Sequence, residues 1–464
     1  MRDKQTRPLF IPAMFSCMVL FAQSSTNAAT PPVAPNTPTF WAYDFVDSVG
    51  VNTHLLHPDS FYGQVDLLKQ RLASARIRHI RDGAMDQYGG FFAGDKAELY
   101  KDLGRNGIRV TFIFRIALSK EFVQGFPARV DPAFEAYELV NELNMQNKVP
   151  WVETLQAWMP DFRDKIRSNP ASASYPIVGP SLADLGNDPY GLLGNQEVNL
   201  DIGNIHKYYR NYNPGTLGYG GAGKPPCEVP RYGSLAYALC QAAKVSGAKP
   251  IIATEAGYGS DPSIAKQVNP AVQSKYIVRM LMLHLKAGVR RTFIYHLADY
   301  GPDTFNTFGL LTANGTEKPA FKVIRSLMVE LDDTAPTVPA TQLPISITGN
   351  VAAVESLLFA KSDGSYRLAL WLEKPSWDVA ANASAGAPLN VTSQVVTLTL
   401  PPPYQVRRLI TFSDTGQATA KLTSLTTSPS TLTVRDTLML VDIGQADPSK
   451  KSTPPSAPAL SKPQ

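Results

Sequence analysis

Between about residue 48 and residue 332, short runs of branched and aromatic residues alternate with amphipathic stretches. The apolar runs predict strands at 48–53, 77–81, 108–114, 134–141, 175–181, 201–205, 250–254 and 291–295. Helical spacing fills most of the gaps: Val65, Leu68 and Leu72 recur on one face of 64–75, and 272–286 is dense in Ile, Met and Leu. Eight strand and helix pairs predict an α/β fold, a (β/α)8 TIM barrel. The crossovers 117–133, with Gly125-Phe126-Pro127, and 182–200, rich in Gly, Asn and Asp, predict a third and a fifth helix that are short or irregular. The rival architecture is an open doubly wound sheet. It favours a glycine-rich phosphate turn after the first strand, and Val51-Asn52-Thr53-His54-Leu55 is unlike one.

After residue 332 the pattern is of strands alone, at 351–360, 366–373, 395–400, 406–412 and 431–441, with Lys361-Ser362-Asp363-Gly364 as a turn. This predicts a C-terminal antiparallel β-sandwich. The domain expectation is a signal peptide at 1–28, a proline-rich leader at 29–39, a barrel at 40–335, the sandwich at 336–445 and a disordered polar tail at 446–464. The signal is read from Arg2, Lys4 and Arg7, the apolar run 9–22 and the small residues of Thr26-Asn27-Ala28. A mature chain beginning near Ala29 would be secreted or periplasmic, with no membrane span after signal removal. An uncleaved anchor is the weaker alternative, because the run is short for a bilayer.

Cys17 would leave with the signal, so Cys227 and Cys240 remain. An even pair in an oxidising compartment suggests a disulfide; alternatively Cys240 is a small buried residue on a helix. Metal-ligand spacing is absent, so no metal is expected. The formal net charge of +5 includes the basic residues of the signal, and no long basic run occurs elsewhere, so nucleic acid is not implied. The mild excess is compatible with an acidic polysaccharide partner and equally with a mixed-charge exterior.

Two of the predicted strands lead into glutamates, in Tyr137-Glu138-Leu139-Val140-Asn141-Glu142 and in Pro250-Ile251-Ile252-Ala253-Thr254-Glu255. Barrels hold their chemistry at the C-terminal ends of the strands, so Glu142 and Glu255, on strands four and seven, would face one mouth. Cleaving a glycosidic bond takes one carboxylic acid to protonate the leaving oxygen and one carboxylate to attack or to activate water. Asn141 adds an amide for a sugar hydroxyl, and Gly257 lets the chain pass close beneath a ligand.

Asn141-Glu142 and Thr254-Glu255-Ala256-Gly257 resemble the catalytic signatures of the clan A retaining glycoside hydrolases, most of all family 39, over roughly residues 45–330. The resemblance implies double displacement at β-linked bonds of a poly- or oligosaccharide, with Glu142 as acid/base and Glu255 as nucleophile. It implies no cofactor, and a monomer is expected. Arg81, in His79-Ile80-Arg81-Asp82-Gly83, is placed like the arginine that such enzymes set beside the nucleophile, where it would keep Glu255 ionised; an ordinary ion pair is the alternative. His206-Lys207-Tyr208 is similar to a His-x-Tyr motif whose tyrosine donates to the nucleophile and whose histidine lines the site. Tyr209 could take the tyrosine's role, and His206 could be a core histidine.

His54, after strand one, is a further contact candidate. Strand eight departs from the tryptophan platform of many clan members: it reads Tyr295-His296-Leu297-Ala298-Asp299-Tyr300, leaving Tyr295 or His296 to stack on a sugar. Trp151 and Trp158 could bind further sugar units or pack helix four on the barrel. A noncatalytic carbohydrate-binding barrel and a transglycosylase using the same residues are the rival functions.

Overall fold

The structure, a computed structural model, describes residues 37–445 except 85–93, 147–149, 221–226, 228–229, 300–306, 380–385 and 423–427. The expected signal peptide and polar tail lie outside the described residues, as does Tyr300. Among the described residues no helix is long and apolar enough to cross a membrane.

Eight parallel strands form one sheet: β1 (Val49–Asn52), β2 (His79–Gly83), β3 (Arg109–Ile113), β4 (Phe134–Glu138), β5 (Ile177–Val178), β6 (Gly203–Tyr208), β7 (Ile251–Gly257) and β8 (Val289–Ile294). Their order, β5-β4-β3-β2-β1-β8-β7-β6, is that of a barrel. The ring is drawn together between β5 and β6 by the bridge Val178–Ile202 and by the Gly179 N–H donating to the Ile202 carbonyl at 2.8 Å. Their apolar content follows from position, since each strand is covered inside by its neighbours and outside by helices.

The third crossover corrects the sequence reading. It carries an eleven-residue helix, Lys120–Val130, capped by the Ser119 hydroxyl accepting from the Phe122 N–H. Phe122, Val123, Phe126 and Val130 are its buried residues, together with Pro127. Pro127 has no N–H to offer the Val123 carbonyl four residues back. The Tyr137 hydroxyl donates to that carbonyl instead, at 2.9 Å. The fifth crossover has the predicted irregularity: two 3-10 turns, Leu185–Asn187 and Glu197–Asn199, flank the short helix Pro189–Leu193.

The C-terminal strands are β9 (Ser346–Gly349), β10 (Val354–Ala360), β11 (Tyr366–Leu372), β12 (Gln394–Thr399), β13 (Tyr404–Phe412), β14 (Ala418–Leu422), β15 (Ser430–Val434) and β16 (Met439–Gln445). The predicted strand 431–441 is thus two strands, in different sheets, joined through Arg435, Asp436 and Thr437. One sheet is β9-β12-β15. The other is β10-β11-β16-β13-β14, extended at its edge by Thr39–Trp41, which pairs in parallel with β10.

Strands β10, β11 and β16 of the larger sheet are buried on both faces. Leu357, Phe359, Ala369, Trp371 and Leu440 join the barrel's core, where Phe359 meets Phe45 with ring centroids 5.5 Å apart. The alternate residues Leu358, Ala360, Leu368, Leu370 and Val441 pack with β9, β12 and β15 in a second core. A strand with period-2 side chains and two buried faces is apolar on both, which is how β11 reads apart from Arg367, whose charge is paired with Asp442 on β16 at 2.7 Å.

Candidate active site

Arg81, on β2 and 2% exposed, is the hub of the strand ends. Its Nε and Nη2 donate to the two oxygens of Glu138, at 2.7 and 2.8 Å, in a paired fork. Nη1 donates to Glu255 Oε1 at 2.6 Å and to Asn52 at 2.9 Å, and Nη2 also reaches Asn141 Oδ1 at 2.7 Å. Glu138 is fully buried and accepts in addition from Asn204 and Thr254. The strand-four carboxylate at the strand's own end is therefore Glu138, bound inward. The predicted strand 134–141 stops there, and Glu142 lies four residues further on.

Glu142 reaches the cleft through an unusual backbone. It sits in the left-handed region, φ 43° and ψ 46°, which costs a non-glycine residue about 1 kcal/mol or more unless its surroundings hold it. Ser181 does so, with its carbonyl and hydroxyl both accepting from the Glu142 N–H, at 3.2 and 3.3 Å.

A bulge aims β7. Its pairing with β6 slips between Ala253 and Glu255, leaving Thr254 as the extra residue. Neighbouring side chains of a regular strand face opposite ways; a bulge re-aims them. Here the Thr254 hydroxyl reaches Glu138 at 3.0 Å and Asn204 Oδ1 at 2.9 Å, while Glu255 reaches Arg81 and accepts from the Tyr208 hydroxyl at 2.6 Å.

These contacts set the charge states. Burial pushes the Glu255 carboxyl up, but the nearby positive charges of His206 and Arg81 and the hydrogen bonds from Tyr208 and Arg81 outweigh it, holding the group below the ordinary glutamate value. Burial, then the Glu255 charge, raises the Tyr208 hydroxyl well above the usual phenol value, so it stays protonated and donates.

His206 links the two glutamates. Its Nδ1 lies 2.7 Å from Glu142 Oε1 and 3.5 Å from Glu255 Oε2, and its Nε2 lies 3.1 Å from the Thr254 hydroxyl. The same hydroxyl reaches Glu138 and Asn204 Oδ1, which ties the histidine to the buried network behind the cleft. Nε2 also lies 3.5 Å from Arg81 Nη2, so the ring is fixed between Glu142, Thr254 and Arg81. One donor atom each of Glu142, His206 and Glu255 lie within 4.8 Å of one another. Such a trio could draw a cation, but the Glu255 carboxylate is already paired with Arg81 and His206 Nδ1 already lies against Glu142.

Three hollows meet at the pair. A cleft of about 630 Å³ runs past Glu142, Glu255, Tyr208, Tyr295 and Phe308. A second hollow lies on the Glu142 side, with Lys207, Arg210, Tyr219 and Tyr232. A third lies on the Glu255 side, with Asn52, His54, His57 and Arg115.

The structure thus brings together Arg81, Asn141, Glu142, His206, Tyr208, Glu255, Tyr295 and His54. Tyr209 is excluded from the tyrosine role, since it is buried away from Glu255 and its hydroxyl pairs with His284 at 3.0 Å. Two expectations need correction. His296 is fully buried behind Tyr295 and meets the Tyr62 hydroxyl, so it backs the platform and offers no face to a sugar. Trp151 opens the helix Trp151–Arg167, packs partly buried against the barrel core and lines none of the three hollows. Glu138, Thr254 and Asn204 were missed as members of the network. Cys227 and Cys240 form a disulfide, the latter on the helix Leu235–Ser246.

No protein-family model matches the sequence, and no curated protein matches it. Solved structures do. The chain is similar to a family 39 glycoside hydrolase from Bacteroides cellulosilyticus, with a TM-score of 0.56, 13% identity, and coverage of 86% of this chain and 82% of that one. It is similar also to a monomeric β-xylosidase from Caulobacter crescentus, with a TM-score of 0.53, 14% identity, and coverage of 90% and 98%. At such identities what is shared is the fold, and the chain has the fold of known glycoside hydrolases.

Proposed function

We propose that the protein is an exported retaining glycoside hydrolase acting on β-linked bonds of a poly- or oligosaccharide. The observation that carries this reading is the pair Glu142 and Glu255, with oxygens within 4.8 Å; carboxyl groups about 5–5.5 Å apart belong to double displacement, and wider pairs leave room for water and invert. The shared fold supports it, and the signal-like segment at 1–28 supports export to the periplasm or the medium.

In the first step Glu255, ionised beside Arg81 and oriented by Tyr208, attacks the anomeric carbon. The bond to the leaving oxygen breaks, and that oxygen takes a proton from the Glu142 carboxyl, which His206 holds in place. In the second, Glu142 accepts a proton from water, the resulting hydroxide attacks the anomeric carbon, and the ester to Glu255 is broken. The hollow beside Glu142 receives the leaving group and then the water, and the one beside Glu255 receives the sugar under attack.

The test is mutation with product analysis. Glu255→Ala abolishes turnover with an unchanged circular dichroism spectrum; an unchanged rate sinks the assignment. Glu142→Ala keeps activity on a substrate with a good leaving group, and azide accelerates it while giving a β-glycosyl azide. NMR of the first product formed shows the β anomer, and an α product rules out retention.

A further inference from the structure

The chain leaving β6 forms the outer wall of the hollow beside Glu142, through Arg210 and Tyr219. The Arg210 guanidinium lies 5.1 Å from the centre of the Tyr219 ring, and Tyr219 stacks on Tyr212 with centroids 4.5 Å apart. The wall continues into a turn in which the Thr216 N–H donates to the Asn213 carbonyl at 3.1 Å. What grips this turn comes from the other domain.

Glu373 directly follows β11 of the sandwich. Its Oε1 accepts from the Asn213 side-chain amide at 2.7 Å and from the Gly215 N–H at 2.9 Å. The same carboxylate accepts from Arg279 Nη2 and Nε, at 2.6 and 2.9 Å, and from the Trp371 indole at 2.8 Å. A plain anchor between domains would need Arg279 alone. The contacts to Asn213 and Gly215 are directed at the loop, and the fit is close: a Cβ on Gly215 would lie 2.3 Å from Glu373 Cγ.

We propose that Glu373 is a positioning residue for the leaving-group subsite, through which the sandwich holds the wall carrying Tyr212, Tyr219 and Arg210 against Glu142. The proposal rests on the glycoside hydrolase reading for its effect on turnover, but its structural content can be measured without turnover. It also assigns the sandwich a part in the site: substrates long enough to fill the hollow depend on it, and short ones do not.

Two variants test it. Glu373→Gln weakens the grip on the loop and on Arg279 together. Asn213→Ala removes a loop contact to Glu373 and leaves the Glu373–Arg279 pair in place, so loss of fold in the first does not confound the second. In both, kcat/KM for an oligosaccharide filling the hollow falls by about tenfold or more, mainly through KM. An aryl glycoside whose small leaving group does not reach the wall keeps its kcat/KM within about twofold, with an unchanged pH profile. Amide hydrogen exchange across residues 209–219 becomes faster. Equal losses on both substrates, or unchanged exchange and unchanged KM in a folded Asn213→Ala protein, overturn the proposal. If the wild-type protein cleaves no glycoside, the functional reading fails, and the exchange comparison by itself still decides whether Glu373 holds the loop.

Discussion

A guanidinium buried between two carboxylates divides them into a permanent partner and a reagent. Arg81 spends a two-point fork on Glu138 and a single bond on Glu255, so Glu138 anchors the charge and Glu255 borrows it. Removing the anchor leaves a buried cation half compensated: Glu138→Ala is expected to cost about 3–5 kcal/mol, read as a lower denaturant midpoint at unchanged slope. The pH dependence follows from Glu255. Its folded-state value is depressed, so the ionised, attacking form is present above that value and is lost as pH falls through it. The acid limb of kcat/KM should therefore lie below the ordinary glutamate value of about 4.3, and Arg81→Met should move it upward; a wild-type limb at or above the ordinary value contradicts the account. Glu142 and Glu255 were legible in the sequence because each follows an apolar strand at the barrel's active end. Glu138 was not, since two acids in one short stretch look alike until burial separates them. His296 and Trp151 were misread for the same reason: a ring's type is visible in sequence, but which of its faces is covered is not.

Among the elements, the barrel strands were legible and their ends were not, while Thr39–Trp41, Ser346–Gly349 and Ala418–Leu422 were missed. Strand periodicity locates β4, but it cannot show that pairing stops at Glu138 or that Glu142 swings back in a left-handed turn held by Ser181. The helix Lys120–Val130 was undervalued because Gly125 and Pro127 weaken its propensity, and the compensation, a hydroxyl from Tyr137, comes from the next strand. At the opposite end of the strands from the site, Asp47 meets His79, Arg291 and Arg78. Burial raises its carboxyl, but the His79 hydrogen bond and charge, with Arg291 and Arg78, outweigh that and bring it from 3.8 to about 2. Its folded value lies below the unfolded one, so this stabilisation is present above pH 3.8 and is lost as pH falls toward about 2. Melting temperature should drop across that window, and Asp47→Asn should flatten the drop; an equally steep drop in the variant would exclude Asp47 as its source.

For the whole molecule, the hydrophobic pattern was enough to separate a region of alternating strands and helices from a region of strands. It did not show that one sheet serves two cores, because a strand buried on both faces carries no polar alternation to betray either neighbour. Barrel and sandwich share Phe45, Phe359, Trp371 and the Arg279–Glu373 pair, so they should unfold in one calorimetric transition. Two resolved transitions would mean the joint core is weaker than its burial implies. The small strand Thr39–Trp41 bears on how the chain is made. It leaves the ribosome before any of the barrel, yet its partner β10 follows after the barrel is complete. That segment must therefore wait, unpaired, until the sandwich arrives, and the brace behind the leaving-group wall is set only after the whole barrel has been made. A chain stopped after the barrel would carry the catalytic pair without the carboxylate that braces its wall.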